Sequence, residues 1–162
     1  MSRKDALEKL FPGLCGTVWA IKSRKTKRYN CLAWAAREKH RRWDFAKGAH
    51  WPPGVKRASG IAYLVGAYQA EGFGVCKQDD CDKYDPTSDS IVLYERNRIG
   101  THAARLLHNG MWSSKLGDWE DIQHQTPEAL SGKAYGHPIV YMKRKRSNDG
   151  RSKAKRNKLR SE

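Results

Sequence analysis

An α+β domain is predicted over residues 1–142, with N-terminal helices packed on an antiparallel sheet of about 4–5 strands. Three observations predict it. In the first half, apolar residues recur at helical spacing: Ala6, Leu7 and Leu10, then Ile61, Leu64, Val65 and Tyr68. From Ser90 the period changes, and β-branched and aromatic residues gather in short runs. Between two of those runs stands Asn109-Gly110, the strongest short hairpin signal.

In chain order, Arg3 to Leu10 forms the first helix, ended by Phe11-Pro12-Gly13. Cys15 to Ile21 is apolar enough for a short strand, and the basic run Lys22 to Arg28 follows it. Asn30 is a good N-cap for a helix rich in Ala33, Ala35 and Ala36. His50-Trp51-Pro52-Pro53-Gly54 reads as a packed loop or cleft wall, and Gly60 to Glu71 as a helix stopped by Gly72. Gly72 to Cys76 resembles a short strand, and Lys77 to Ser90 a polar loop. The strands Ser90–Glu95, Thr101–Leu107 and Met111–Leu116 then alternate with turns at 97–100 and 108–110. Asp118 to His124 reads as a polar segment, Thr126 to Leu130 as a short helix with Pro127 in its first turn, and Pro138 to Met142 as the last strand. Lys143 to Glu162 has almost nothing to bury and is predicted to be a disordered basic tail.

The formal charge of +15 predicts attraction to nucleic acid or acidic proteins. The cations that would supply it are Lys22, Arg24, Lys25, Lys27 and Arg28, with Lys143, Arg144, Lys145 and Arg146, the last four also resembling a nuclear-import run. No apolar run approaches a membrane span, and Met1 to Asp5 leads into no signal-peptide core, so a cytoplasmic protein is expected. Cys15, Cys31, Cys76 and Cys81 are accordingly expected as reduced thiols. Cys76 and Cys81 lack a second ligand pair at zinc-finger spacing, and neither metal nor cofactor is predicted.

The chemistry is concentrated at Cys31. A thiol in the first turn of a helix lies near unpaired N–H groups, which favour the thiolate. A histidine on a neighbouring strand would take its proton, and a third polar group would orient the imidazole. His102 opens the second sheet strand, and Ser114 lies on the strand that returns after Asn109-Gly110. Strand parity places Ser114, not Ser113, on the same face as His102. Asp121 and His124 read first as caps of the adjacent turn and second as a pair supporting the site from behind.

The blocks Asn30-Cys31-Leu32-Ala33-Trp34-Ala35, Thr101-His102-Ala103-Ala104-Arg105 and Asn109 to Lys115, with Asp121-Ile122-Gln123-His124, resemble a compact papain-like cysteine hydrolase of the NlpC/P60 and CHAP superfamily. Within it they are most similar to an uncharacterised bacterial and phage branch. The resemblance covers residues 29–142. It implies a papain-like fold, Cys31 as nucleophile, His102 as base and Ser114 in the third position, where the superfamily often has His, Asn or Asp. It also implies a protein or peptide-like substrate and a peptidase, amidase, deamidase or acyltransferase chemistry, as in a toxin or effector. The backbone N–H of Cys31, with Asn30 or Tyr29, would form the oxyanion hole. Lys115, Trp112 and Trp51 are candidates for substrate contact. The competing reading is a nucleic-acid-binding or protein-interaction module on an inactive scaffold, using the basic residues for phosphate contacts.

Overall fold

Ser2 starts the structured chain: its hydroxyl accepts the N–H of Asp5, and the Asp5 carboxylate accepts the N–H of Ser2. This capping box begins helix α1 (Arg3–Leu10). The structure, a computed structural model, describes residues 1–146. A 3₁₀ turn (Pro12–Leu14) leads to strand β1 (Trp19–Ile21), then helices α2 (Cys31–Ala35) and α3 (Ile61–Ala70). Strand β2 (Gly74–Cys76) and the short helix α4 (Gln78–Cys81) precede β3 (Ser88–Arg96) and β4 (Ile99–Leu106). The chain continues through β5 (Trp112–Lys115), β6 (Asp121–His124), a second 3₁₀ turn (Pro127–Leu130) and β7 (His137–Lys145).

The seven strands of the described residues join one antiparallel sheet in the order β1-β6-β5-β4-β3-β7-β2. This corrects the expected architecture. The sheet is larger than about 4–5 strands, and it dominates the fold in place of a papain-like packing of N-terminal helices on a small sheet. β6 accounts for the main difference. Its alternation of Asp121 and Gln123 with Ile122 and His124 looks polar in sequence, yet it lies between β1 and β5 and is largely buried. β1 and β2 complete the two edges, and the helices lie on both faces of the sheet.

The two cores are read from strand parity. On β3, Val92 and Tyr94 join Leu7, Phe11, Leu14 and Leu130 on one face. Ile91 and Leu93 join Trp34, Trp43, Leu64 and Tyr68 on the other. A strand buried on both faces needs a continuous apolar run, which Ile91-Val92-Leu93-Tyr94 supplies. The Tyr68 hydroxyl donates to the Leu32 carbonyl at 2.8 Å, tying α3 to α2.

Two further expectations are corrected by packing. Cys76 and Cys81 are joined as a disulfide with their Cα atoms 6.5 Å apart, because α4 turns the chain back beside the end of β2. Cys15, exposed, and Cys31, buried, are the free thiols. The predicted tail begins inside β7, since Lys143 to Lys145 pair with Gly74 on β2 and with Ser88 to Ser90 on β3. The rest of that predicted tail, 147–162, lies outside the described residues.

The segment from Gly132 to Gly136 is closed by a pair of backbone hydrogen bonds between the two glycines. Gly136 has φ of 74°, and a Cβ there would overlap the backbone carbonyl of Glu95. Gly136→Ala should therefore cost about 3 kcal/mol or more, combining left-handed strain with displaced backbone. Urea unfolding measures it; a loss below about 1 kcal/mol would show that the loop can relax.

Candidate active site

Asn30 begins α2 as the sequence predicts. Its side-chain oxygen accepts from the N–H groups of Ala33 at 3.3 Å and Trp43 at 3.1 Å. Its amide nitrogen donates to the Trp43 carbonyl at 2.6 Å. Both polar ends are thus spent on holding the Trp43 loop against the helix, which corrects the expected oxyanion role of Asn30.

Cys31 follows, with its thiol buried. Burial pushes the thiol up to about 11, against the N–H groups of Ala103, Leu32 and Cys31 itself and the charge of Lys115. The resting group is a neutral thiol, not the thiolate expected from its place at a helix start. Loss of water outweighs the nearby N–H groups.

The β4–β5 hairpin has Arg105 opposite Ser113 and Leu106 opposite Trp112, and its regular pairing stops there. The backbone of Ala103, just before that point, is the first of the groups that oppose the rise of the Cys31 thiol. His102, the preceding residue, projects to the opposite face of the sheet from Ala103 by strand alternation. Its ring stacks on Tyr135 at 4.0 Å with 7° between planes and meets the Tyr94 ring edge-on at 5.0 Å. Burial first, then the charge of an ionised Cys31, raises the Tyr135 phenol. The charge of an ionised Cys31 is thus felt at Tyr135, the ring stacked on His102, and no hydrogen bond joins Sγ to the imidazole in this resting arrangement.

Behind His102 runs a buried chain of hydrogen bonds. His102 Nε2 lies 2.9 Å from Ser114 Oγ, and Ser114 Oγ lies 2.8 Å from His124 Nε2. His124 Nδ1 lies 2.8 Å from the Thr126 carbonyl. A carbonyl only accepts, so His124 Nδ1 carries the proton. Burial lowers His124 to about 4, so its ring is neutral and Nε2 accepts the Ser114 hydroxyl. Ser114 in turn accepts from His102 Nε2–H. Burial, with the neighbouring His124, holds His102 well below its ordinary value and neutral. The lone pair is then on His102 Nδ1, which is buried without a hydrogen-bond partner among the described residues.

Ser114 therefore stands where parity predicted, bonded to His102. His124, read from sequence first as a turn cap and second as a partner of Asp121 behind the site, bonds Ser114 instead, while Asp121 goes to Tyr29. The alternation Asp121-Ile122-Gln123-His124 on a third consecutive strand was the signal that could have found it.

The other candidate contacts are structural. Tyr29 stacks on Trp34 at 5.5 Å and donates to Asp121 at 3.3 Å. Lys115 is fully buried, donating to the carbonyls of Thr26 at 2.8 Å and Gly117, with its ammonium 5.1 Å from the Tyr29 ring centroid. Trp112 packs against Tyr141 in the core, and the Trp51 indole donates to the Lys56 carbonyl at 3.1 Å. Neither tryptophan lines a described cleft. An apolar cleft of about 510 Å³ instead runs over Tyr135, with Phe11, Leu116 and the half-exposed Trp119 in its walls.

The basic residues divide into two groups. Lys22, Arg24, Lys25, Lys27 and Arg28 are exposed. Lys143 faces Asp85 at 3.6 Å, while Arg144 at 3.1 Å and Arg146 at 2.9 Å bind Asp89, so these three pair with carboxylates of the fold. Lys145 is exposed at the end of β7. Among the described residues, no group of three His, Cys, Asp or Glu is placed to hold a metal, and no helix is long and apolar enough to cross a membrane.

Fold and site together define an antiparallel α+β domain with a buried thiol at the start of α2 and a buried imidazole–hydroxyl–imidazole chain across β4, β5 and β6. The family model described as "Domain of unknown function (DUF7689)" matches residues 20–143, and the chain belongs to that family. All members of the site fall inside the match. Searches of curated proteins and of solved structures returned no match.

Proposed function

We propose that the protein is a thiol-dependent acyl hydrolase or acyltransferase acting on amide or ester carbonyls. The observation that carries this reading is the direction of the hydrogen bonds, which leaves a bare lone pair on buried His102 Nδ1. A neutral imidazole held in that tautomer is a general base, and the buried Cys31 thiol is a nucleophile that needs one. In the reaction, Cys31 Sγ attacks the carbonyl carbon while His102 Nδ1 takes the thiol proton. The backbone N–H of Cys31 faces the developing oxyanion. His102 returns the proton to the departing nitrogen or oxygen, leaving an acyl-thiol that water or a second acceptor cleaves. Contact between Sγ and Nδ1 belongs to the substrate complex, since catalytic hydrogen bonds often tighten only there. Ser114 and His124 fix the ring and its tautomer.

The exposed Lys22–Arg28 run, just before Cys31, favours acidic partners as an accessory property. Binding of nucleic acid as the main function is less well supported, because Lys143 and Arg144 are held by Asp85 and Asp89.

The test is incubation with an activated ester such as p-nitrophenyl acetate, followed by peptide mass spectrometry. A transient acetyl group should appear on Cys31 ahead of exposed Cys15, and Cys31→Ala should abolish turnover while remaining folded. Acetylation confined to Cys15, or turnover unchanged in Cys31→Ala, would remove the nucleophile and the proposal with it.

A further inference from the structure

At the far end of α2 from Cys31, a cleft of about 330 Å³ is lined by Arg37, Arg105, Arg146, Asp89, Ser90 and His108. Asp89 is shared by Arg37 at 3.1 Å, Arg144 at 3.1 Å and Arg146 at 2.9 Å, and none of its bonds goes to Arg105. Arg105 lies over Trp34 instead, its guanidinium carbon 4.0 Å from the ring centroid. Its Nε is buried without a hydrogen-bond partner among the described residues. Burial first, then the charge of Arg37, lowers Arg105 to about 10, so it is still a cation at neutral pH. Arg105 as a whole is half-buried, but an N–H cut off from water is ordinarily paired, because an unpaired one forfeits its hydration without recompense. Here the missing partner has a cavity to occupy.

We propose that this cleft binds the phosphate monoester group of a small molecule, with Arg105 as the principal ligand and the site completed by the remaining donors of Arg37 and Arg146, each of which bonds Asp89 through one nitrogen. Charge selects this class of anion. Three guanidinium groups against one carboxylate leave two positive charges in the lining, and a phosphate monoester carries close to two negative charges at neutral pH. A carboxylate or a phosphodiester brings one. Geometry agrees, since the guanidinium fork offers two parallel donors to a tetrahedral oxyanion. The cleft has the volume for a small molecule rather than the length of a nucleic-acid groove. The proposal is independent of the chemistry at Cys31.

The experiment titrates the full chain with inorganic phosphate, phenyl phosphate, acetate and a short oligonucleotide at constant ionic strength. Two quantities are followed, the thermal midpoint and the Arg105 Nε–H resonance. Inorganic and phenyl phosphate should raise the midpoint and move the Arg105 resonance. Arg105→Met, which keeps the aliphatic packing on Trp34, should weaken phosphate binding roughly tenfold or more. Arg24→Met, on the exposed basic run, should leave it unchanged. If Arg105→Met fails to fold, the resonance in the parent decides alone. Acetate or the oligonucleotide shifting that resonance as strongly as phosphate would overturn the choice of ligand class. A resonance indifferent to every anion at tens of millimolar would overturn the site.

Discussion

Acetylation of Cys31 at neutral pH should slow roughly a thousandfold when His102 is replaced by alanine, the loss typical of a missing general base. Ser114→Ala should cost less in rate, roughly tenfold to a hundredfold, because the base remains but its ring and tautomer are no longer fixed. It should cost more in stability. The substitution strands His102 Nε2–H and His124 Nε2 in a buried site, a penalty of about 3 kcal/mol for two unpaired groups. Adding His124→Ala to Ser114→Ala should change the rate little further, since the second imidazole acts only through the hydroxyl. Independent, multiplying effects of the two substitutions would show that the chain of hydrogen bonds is not a positioning unit. Iodoacetamide supplies a second readout. With the thiol raised to about 11, Cys31 should alkylate slowly at pH 6 and gain with rising pH. Rapid alkylation at pH 6 would mean a preformed thiolate–imidazolium pair and a different resting state.

Acid should unfold this protein earlier than its carboxylates alone would require. His102 and His124 are both fully buried and neutral, with folded values below the 6.5 of an unfolded histidine. Between those values the unfolded chain holds more protons than the folded one, so stability falls as pH falls. The stabilisation is fully present above pH 6.5 and drains away below it, down to about 4 for His124, and His102 loses its share in the same direction as pH falls towards its own lowered value. Each group contributes a slope of about 1.4 kcal/mol per pH unit, so His124 alone removes about 3 kcal/mol across its window. Asp89 adds to the loss only at lower pH. Burial opposes its ionisation, but hydrogen bonds from Arg146, Arg37 and Arg144 keep it below the ordinary carboxylate value. Its stabilisation is therefore present above about pH 4 and lost as pH falls through the folded value. Urea unfolding at intervals from pH 7 to pH 4.5 should show a slope approaching two protons, halved in His124→Gln. A flat profile in the parent would mean that neither imidazole is buried neutral.

Much of the site was legible because it is written in local rules. Asn30 is an N-cap by residue type, and it caps the helix of Cys31. Asn109-Gly110 turns the chain, and period-two alternation then puts Ser114 on the His102 side, where the two are bonded. Helices α1 and α3 and strands β3 to β5 follow from spacing and from the turns between them. Each of these rests on residues within a dozen positions of one another, so the sequence by itself determined them.

The rest depends on what a distant segment packs against, and only the tertiary structure decided it. Seven strands form one sheet because β1 and β5 close over β6, which carries His124 into the core. Cys76 and Cys81 meet because α4 folds back on β2. Lys115, by sequence a strand-end charge, is buried under Tyr29, while Arg144 and Arg146, by sequence part of a tail, converge on Asp89. Above all, the charge state of the site is tertiary. A helix start favours a thiolate and a lone imidazole titrates near neutrality, but withdrawal from water acts on both at once. It holds Cys31 protonated and His102 neutral, because desolvation of a charge outweighs the local fields that residue type and position can supply.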